Sequence, residues 1–128
     1  TKTEVGYSGG HTKNPTYESI CYDNTDHAEV LLLEFDEDII SYQLLVDEFW
    51  KCHDPTTLDR QGPDVGRQYR SVIYYYDDMQ KDIANKSMVK HQKSLQNNIV
   101  TEISHADIFY KAEEYHQKYI QKGNSCAI

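Results

Sequence analysis

The run Ala28-Glu29-Val30-Leu31-Leu32-Leu33-Glu34-Phe35 and the segment after it most constrain what this chain can fold into. The run is short, aliphatic and nearly uninterrupted, so it reads as a buried strand. Ser41 then offers a helix cap. Tyr42, Leu45, Val46, Phe49 and Trp50 follow at i, i+3, i+4, i+7 and i+8, one face of a helix. Asp54-Pro55 stops that helix. A strand followed at once by an amphipathic helix must bury both apolar faces in one layered core.

The alternation recurs along the chain. Thr3 to Tyr7 reads as a short strand ended by the Gly9-Gly10 turn signal, with Asn14-Pro15-Thr16-Tyr17 continuing as loop. Arg70 to Tyr76, rich in Val, Ile and Tyr, is a second strong strand. Asp77 or Asp78 starts a helix with Met79, Ile83, Ala84, Met88 and Leu95 on its apolar side. Ile99 to Ile103 is a further strand, and Phe109, Ala112, Tyr115, His116 and Tyr119 form a C-terminal helical stripe. The order is strand, strand, helix, strand, helix, strand, helix. This predicts an α/β (α+β) two-layer sandwich, and 128 residues make one domain.

Thirteen basic against 21 acidic residues leave a net charge of -8. That argues against unaided nucleic-acid binding and against docking on anionic lipid. No apolar run approaches the length of a membrane span. The three cysteines, Cys21, Cys52 and Cys126, are too few and too widely spaced for a disulfide framework, so reduced thiols and a cytoplasmic setting are expected. Cys21 and Cys52 lie in or beside apolar elements, where thiols are usually inert.

The chemistry-bearing residues concentrate in one polar stretch: His53-Asp54-Pro55-Thr56, Arg60-Gln61-Gly62-Pro63-Asp64 and Gly66-Arg67-Gln68-Tyr69-Arg70-Ser71. Ordering so polar a loop costs entropy, and such loops inside small domains are usually functional. Asp64 reads either as a site residue or as an Asx-turn residue. A metal site on His53, Asp54, Asp59 and Asp64 lacks a recognised ligand spacing, and no metal is expected. Arg60, Arg67 and Arg70 are expected to satisfy local carboxylates rather than bind an anion. His27, His53 and His116 read as hydrogen-bonded structural histidines.

Outside that stretch, alternation puts Glu29 on the face of Leu31, Leu33 and Phe35. Burial there would raise its pKa and make it a proton donor near neutral pH. The other reading is a solvated carboxylate at the strand's open end. Tyr17 and Tyr69 follow loop-like segments. Two phenols converging on a pocket would suit an uncharged oxygen such as a sulfoxide or carbonyl, although packing alone would also explain each.

Read in order, Glu4-Val5-Gly6-Tyr7-Ser8-Gly9-Gly10, Asn14-Pro15-Thr16-Tyr17, His27-Ala28-Glu29-Val30, Phe49-Trp50, His53-Asp54-Pro55-Thr56, Arg60-Gln61-Gly62, Gln68-Tyr69-Arg70-Ser71 and Phe109-Tyr110-Lys111-Ala112-Glu113 resemble type A peptide methionine sulfoxide reductase. His116-Gln117-Lys118-Tyr119 extends the likeness to about Lys122. The resemblance implies a ferredoxin-like core with a mixed sheet. It implies reduction of methionine-S-sulfoxide, free or in proteins, with Glu29 as acid and Tyr17 and Tyr69 as donors to the sulfoxide oxygen. Asp64 would help organise the site. It further implies no bound cofactor, thioredoxin or dithiothreitol as reductant, and a monomer that repairs oxidised proteins.

Two departures matter. The family's nucleophilic Cys lies in a Gly-Cys-Phe-Trp motif that this sequence lacks. The single domain over 1–128 is therefore read as N-terminally incomplete, with the first strand and helix absent and the internal position in the sheet unfilled. Cys126 is a possible resolving Cys. Such a chain is expected to be inactive as it stands, and the alternative is a non-catalytic relative that binds methionine sulfoxide or a protein partner. Asp26 also stands where the family commonly has Gly.

Overall fold

A computed structural model describes residues 2–22 and 25–113. Strand β1 (Lys2–Ser8) pairs antiparallel with β2 (Ala28–Glu34), Val5 opposite Leu31 and Tyr7 opposite Glu29. Between them lies a short helix, α1 (Tyr17–Tyr22). Thr16 caps it: Ser19 N–H donates to Thr16 Oγ1 at 3.1 Å, and Thr16 N–H donates back to Ser19 Oγ at 2.8 Å. The sequence reading took Asn14 to Tyr17 as loop and placed no helix after it, because six residues show too little periodicity to register.

Helix α2 (Tyr42–Lys51) begins where expected, with Ser41 Oγ accepting from Leu44 N–H at 3.1 Å. The polar stretch that follows is not a plain loop. It folds as a hairpin of β3 (Arg60–Gln61) and β4 (Asp64–Val65), then a 3₁₀ turn over Arg67–Tyr69. Strand β5 (Val72–Tyr75) runs into α3 (Asp78–Gln92), whose cap Asp77 accepts from Gln80 N–H at 2.8 Å. Strand β6 (Glu102–His105) pairs parallel to β5.

Three expectations are corrected. The C-terminal stripe starting at Phe109 is not helical at its beginning: Tyr110–Lys111 form β7, antiparallel to β1, and Ala112 N–H donates to Val5 O at 2.8 Å. Tyr115, His116 and Tyr119 lie outside the described residues. Met79 is 72% exposed rather than on the apolar side of α3, since it sits in the first turn, ahead of the part that meets α2. Cys52, read as an inert reduced thiol, is disulfide-bonded.

Val46, Phe49 and Trp50 of α2 pack with Ile73 and Ala84 in one core. Trp50 Nε1–H donates to Ser87 Oγ at 2.8 Å, and that hydroxyl donates to Asp47 Oδ1 at 3.1 Å. Val5, Tyr7, Ile20 and Ala112 form a second core beneath α1, and Ala28, Val30 and Val72 a third. The α/β architecture is thus as expected, with the described strands in three separate sheets, β2-β1-β7, β3-β4 and β5-β6. An apolar cavity of about 80 Å³ lies between β2, α2 and β5, lined by Leu31, Leu33, Phe35, Val46 and Ile73 among others. The Tyr42 hydroxyl is buried beside it without a hydrogen-bond partner among the described residues. Burial, helped by the nearby Asp77 charge, pushes its pKa up to about 12.

Candidate active site

The groups singled out in the sequence come from β2, α1, the β3–β4 hairpin and the 3₁₀ turn before β5. Glu29 is the second residue of β2 and is half-buried. Its register partner on β1 is Tyr7, which is fully buried and packs with Ile20 of α1. Helix α1 therefore covers the face that Glu29 shares. Tyr17 opens that helix, one turn before Ile20; its side chain lies outside the described set. The 3₁₀ turn that carries Tyr69 lies against β2.

Two arginines hold this turn in place. Arg70 is buried, its Nη1–H donating to Arg67 O at 2.9 Å and its Nη2–H reaching Tyr74 Oη at 3.4 Å. Its charge is faced by Glu102, with Nε and Oε2 3.6 Å apart. Arg67 grips Asp26 at 2.9 Å through Nε and Asp59 at 3.0 Å through Nη1. The hydrogen bond from Arg67 holds the Asp26 carboxyl below its ordinary pKa. Asp26 has φ of 59°, a left-handed conformation that favours Gly and that Asp tolerates. Asp26 thus holds a backbone conformation that Gly adopts freely, and its carboxylate makes an ion pair with Arg67.

Asp64 stands on β4, exposed, in the hairpin that leads into the turn. The Asx turn of this stretch belongs instead to Asp54, whose Oδ1 accepts from Thr56 N–H at 2.9 Å. The Thr56 hydrogen bonds lower the Asp54 pKa. Three of the four residues weighed as a metal site are engaged elsewhere, Asp54 in its turn with Thr56. His53 is occupied at both nitrogens, by Phe49 O at 2.8 Å and Ser71 Oγ at 2.7 Å, while Asp59 faces Arg67. Among the described residues no three His, Cys, Asp or Glu side chains form a group able to hold a metal ion. Cys126 lies outside the described residues.

Sequence reading missed Arg70 and Asp26 as supports of the site. The signal for Arg70 was its place directly before an apolar strand, where a long cation must be buried with its partners. Asp26 carried no signal beyond standing in place of a Gly.

Fold and site define a mixed α/β domain in which the 3₁₀ turn of Tyr69 lies against the strand of Glu29. The sequence profile described as "Peptide methionine sulfoxide reductase" matches residues 1–128, and the chain belongs to that family. It is similar to "Peptide methionine sulfoxide reductase" of Brassica napus, 54% identical over 128 residues, covering 100% of this chain and 50% of that relative. The chain thus spans about half that relative's length. Among solved structures it is similar to Mxr1 of Saccharomyces cerevisiae in reduced form, with a TM-score of 0.88 and 36% identity, covering 98% of this chain and 73% of that one. It is also similar to Mxr1 in complex with Trx2, with a TM-score of 0.62 and 26% identity, covering 98% of this chain and 66% of that one.

Proposed function

We propose that this domain binds methionine-S-sulfoxide, free or in oxidised proteins, and supplies the proton and the hydrogen bonds for its reduction to methionine. The observation that carries this reading is that the turn bearing Tyr69 lies against the strand bearing Glu29, while the helix opened by Tyr17 brings Ile20 into one core with Tyr7, the register partner of Glu29. An uncharged S=O group accepts hydrogen bonds from phenols without a charge having to be buried. Glu29 in its protonated form donates to the departing oxygen. We assign Asp64, on the hairpin that leads to Tyr69, a part in organising the site.

The chemistry needs an attacking thiol. A thiolate bonds to the sulfoxide sulfur, the S–O bond breaks, and the oxygen ends on the cysteine as a sulfenic acid while methionine leaves. A second thiol then displaces that oxygen as water and forms a disulfide, and a dithiol such as thioredoxin reduces it. The solved Mxr1–Trx2 complex supports thioredoxin in that part. No Gly-Cys-Phe-Trp segment occurs in the sequence. We therefore assign the attacking thiol to none of the motifs in these 128 residues, and expect no turnover from them alone. A second reading, favoured by the same missing motif, is a non-catalytic relative that binds the sulfoxide or a protein partner.

Titration of the ¹⁵N-labelled chain with N-acetyl-methionine-S-sulfoxide methyl ester tests the binding reading. The S epimer is expected to shift the amide signals of Glu29 and Tyr69, and the R epimer to shift neither. Equal responses to both epimers, or none to either, would refute it.

A further inference from the structure

We infer that the Asp26–His27 corner is the positioning element of the site, clasping the loop that leads to Tyr17 and the turn that carries Tyr69 onto the strand of Glu29. This rests on the reading of those residues as the sulfoxide site. His27 is only 2% exposed, two residues before Glu29. Its Nε2 lies 2.8 Å from Thr12 O, a group that can only accept, so Nε2 carries the proton. Its Nδ1 is therefore the bare nitrogen, and it accepts from Gly10 N–H at 3.0 Å. Both faces of one neutral ring are thus committed to the backbone of the loop between β1 and α1.

Surrounding contacts close the clasp. His11 N–H donates to Thr25 O at 3.0 Å, and His27 N–H donates to Thr25 Oγ1 at 3.3 Å. Gly10 is pressed so tightly on Thr25 and His27 that a Cβ there would overlap the backbone of both. The edge of Tyr110 on β7 meets the His27 ring, with centroids 5.6 Å apart. On the other side, Asp26 holds Arg67 at the head of the 3₁₀ turn. Two adjacent residues thereby tie both tyrosine-bearing segments to the entry of β2. None of these bonds involves a reacting atom, so His27 acts through others, as a positioning residue.

Three variants separate this role from general stability: His27→Phe, which keeps volume without either hydrogen bond; His27→Gln, which keeps an acceptor and a donor; and Asp26→Gly, which keeps the left-handed backbone without the ion pair. Amide hydrogen exchange on the 128-residue chain reads each arm. H27F is expected to speed exchange at Gly10 and Ile20 about tenfold, with α2 and α3 unchanged, and H27Q to restore most of the protection. D26G is expected to speed exchange at Tyr69 and Arg70 only, by less than about fivefold, as befits a half-exposed pair. Binding of the S-sulfoxide ester is expected to weaken about tenfold in H27F and to recover in H27Q. Unchanged exchange at Gly10 and Ile20 in H27F overturns the inference, and so does a loosened loop with undiminished sulfoxide binding. Wild-type protein that binds no sulfoxide while its exchange pattern behaves as described refutes the proposed function instead, and leaves the clasp standing.

Discussion

Replacing Ser71 by Ala isolates the network that holds the polar stretch to the core. The direction of each bond follows from His53. Its Nδ1 faces Phe49 O at 2.8 Å and must carry the proton, so Nε2 accepts from the Ser71 hydroxyl at 2.7 Å. Ser71 Oγ has then spent its hydrogen, and Thr101 Oγ1 at 2.8 Å must donate to it. Ser71 is 6% exposed, so no water readily replaces it. S71A leaves a largely buried imidazole nitrogen without a donor and a threonine hydroxyl without its acceptor. An orphaned buried acceptor costs about 1–3 kcal/mol, and about 2 kcal/mol is expected here. For a chain of 128 residues, an unfolding entropy of about 0.27 kcal/mol/K turns this into a fall in Tm of about 7 °C. T101V removes only the outer donor and leaves the Ser71–His53 bond intact, so it should cost under about 1 kcal/mol. Calorimetric melts of both variants and the double variant read the result, the double costing less than the two singles together. A Tm for S71A within about 1 °C of wild type, or T101V as damaging as S71A, would refute the assigned directions.

Three shorter predictions share this logic. Burial holds the His53 pKa below its ordinary 6.5, so the unfolded chain binds more protons in the window just beneath that value. Its stability contribution is complete above the unfolded pKa and is lost as pH falls toward the folded one; urea melts across pH 5 to 7 should show this fall, and a smaller one in H53Q. S87A strands the Trp50 indole N–H in the core and should cost about 1–3 kcal/mol, read as a lower urea midpoint by fluorescence of the sole tryptophan. Y42F removes a buried hydroxyl that has no described partner, and should leave the melting temperature unchanged or raise it.

The layered fold was legible because its main elements carry strong local signals. The aliphatic run at β2, the Ser41 cap and the Val46-Phe49-Trp50 stripe each state one period and one face. Helix α1, the two-residue strands β3 and β4, and β7 were not legible, since elements of two to six residues are set by tertiary pairing rather than by periodicity. Phe109 and Ala112 show the failure plainly: their spacing suits a helix turn, yet Ala112 N–H closes a bond onto Val5 across the sheet. Of the candidate site, residue type and setting single out Glu29 and Tyr69 as candidates. The contacts by which Asp26, His27, Arg67 and Arg70 brace their elements could not be read, because they span loops or separations that no local pattern records.

The central proposal is that these residues hold the acid and donor half of a methionine-S-sulfoxide reductase site and lack its attacking thiol. Its most direct test is turnover of N-acetyl-methionine-S-sulfoxide methyl ester with dithiothreitol, by the 128-residue chain and by the same chain extended with a Gly-Cys-Phe-Trp-bearing segment of a relative. The account predicts no turnover by the first and S-specific turnover by the second, lost again in Glu29→Gln. Sustained reduction by the unextended chain, or undiminished turnover in the extended Glu29→Gln variant, would contradict it.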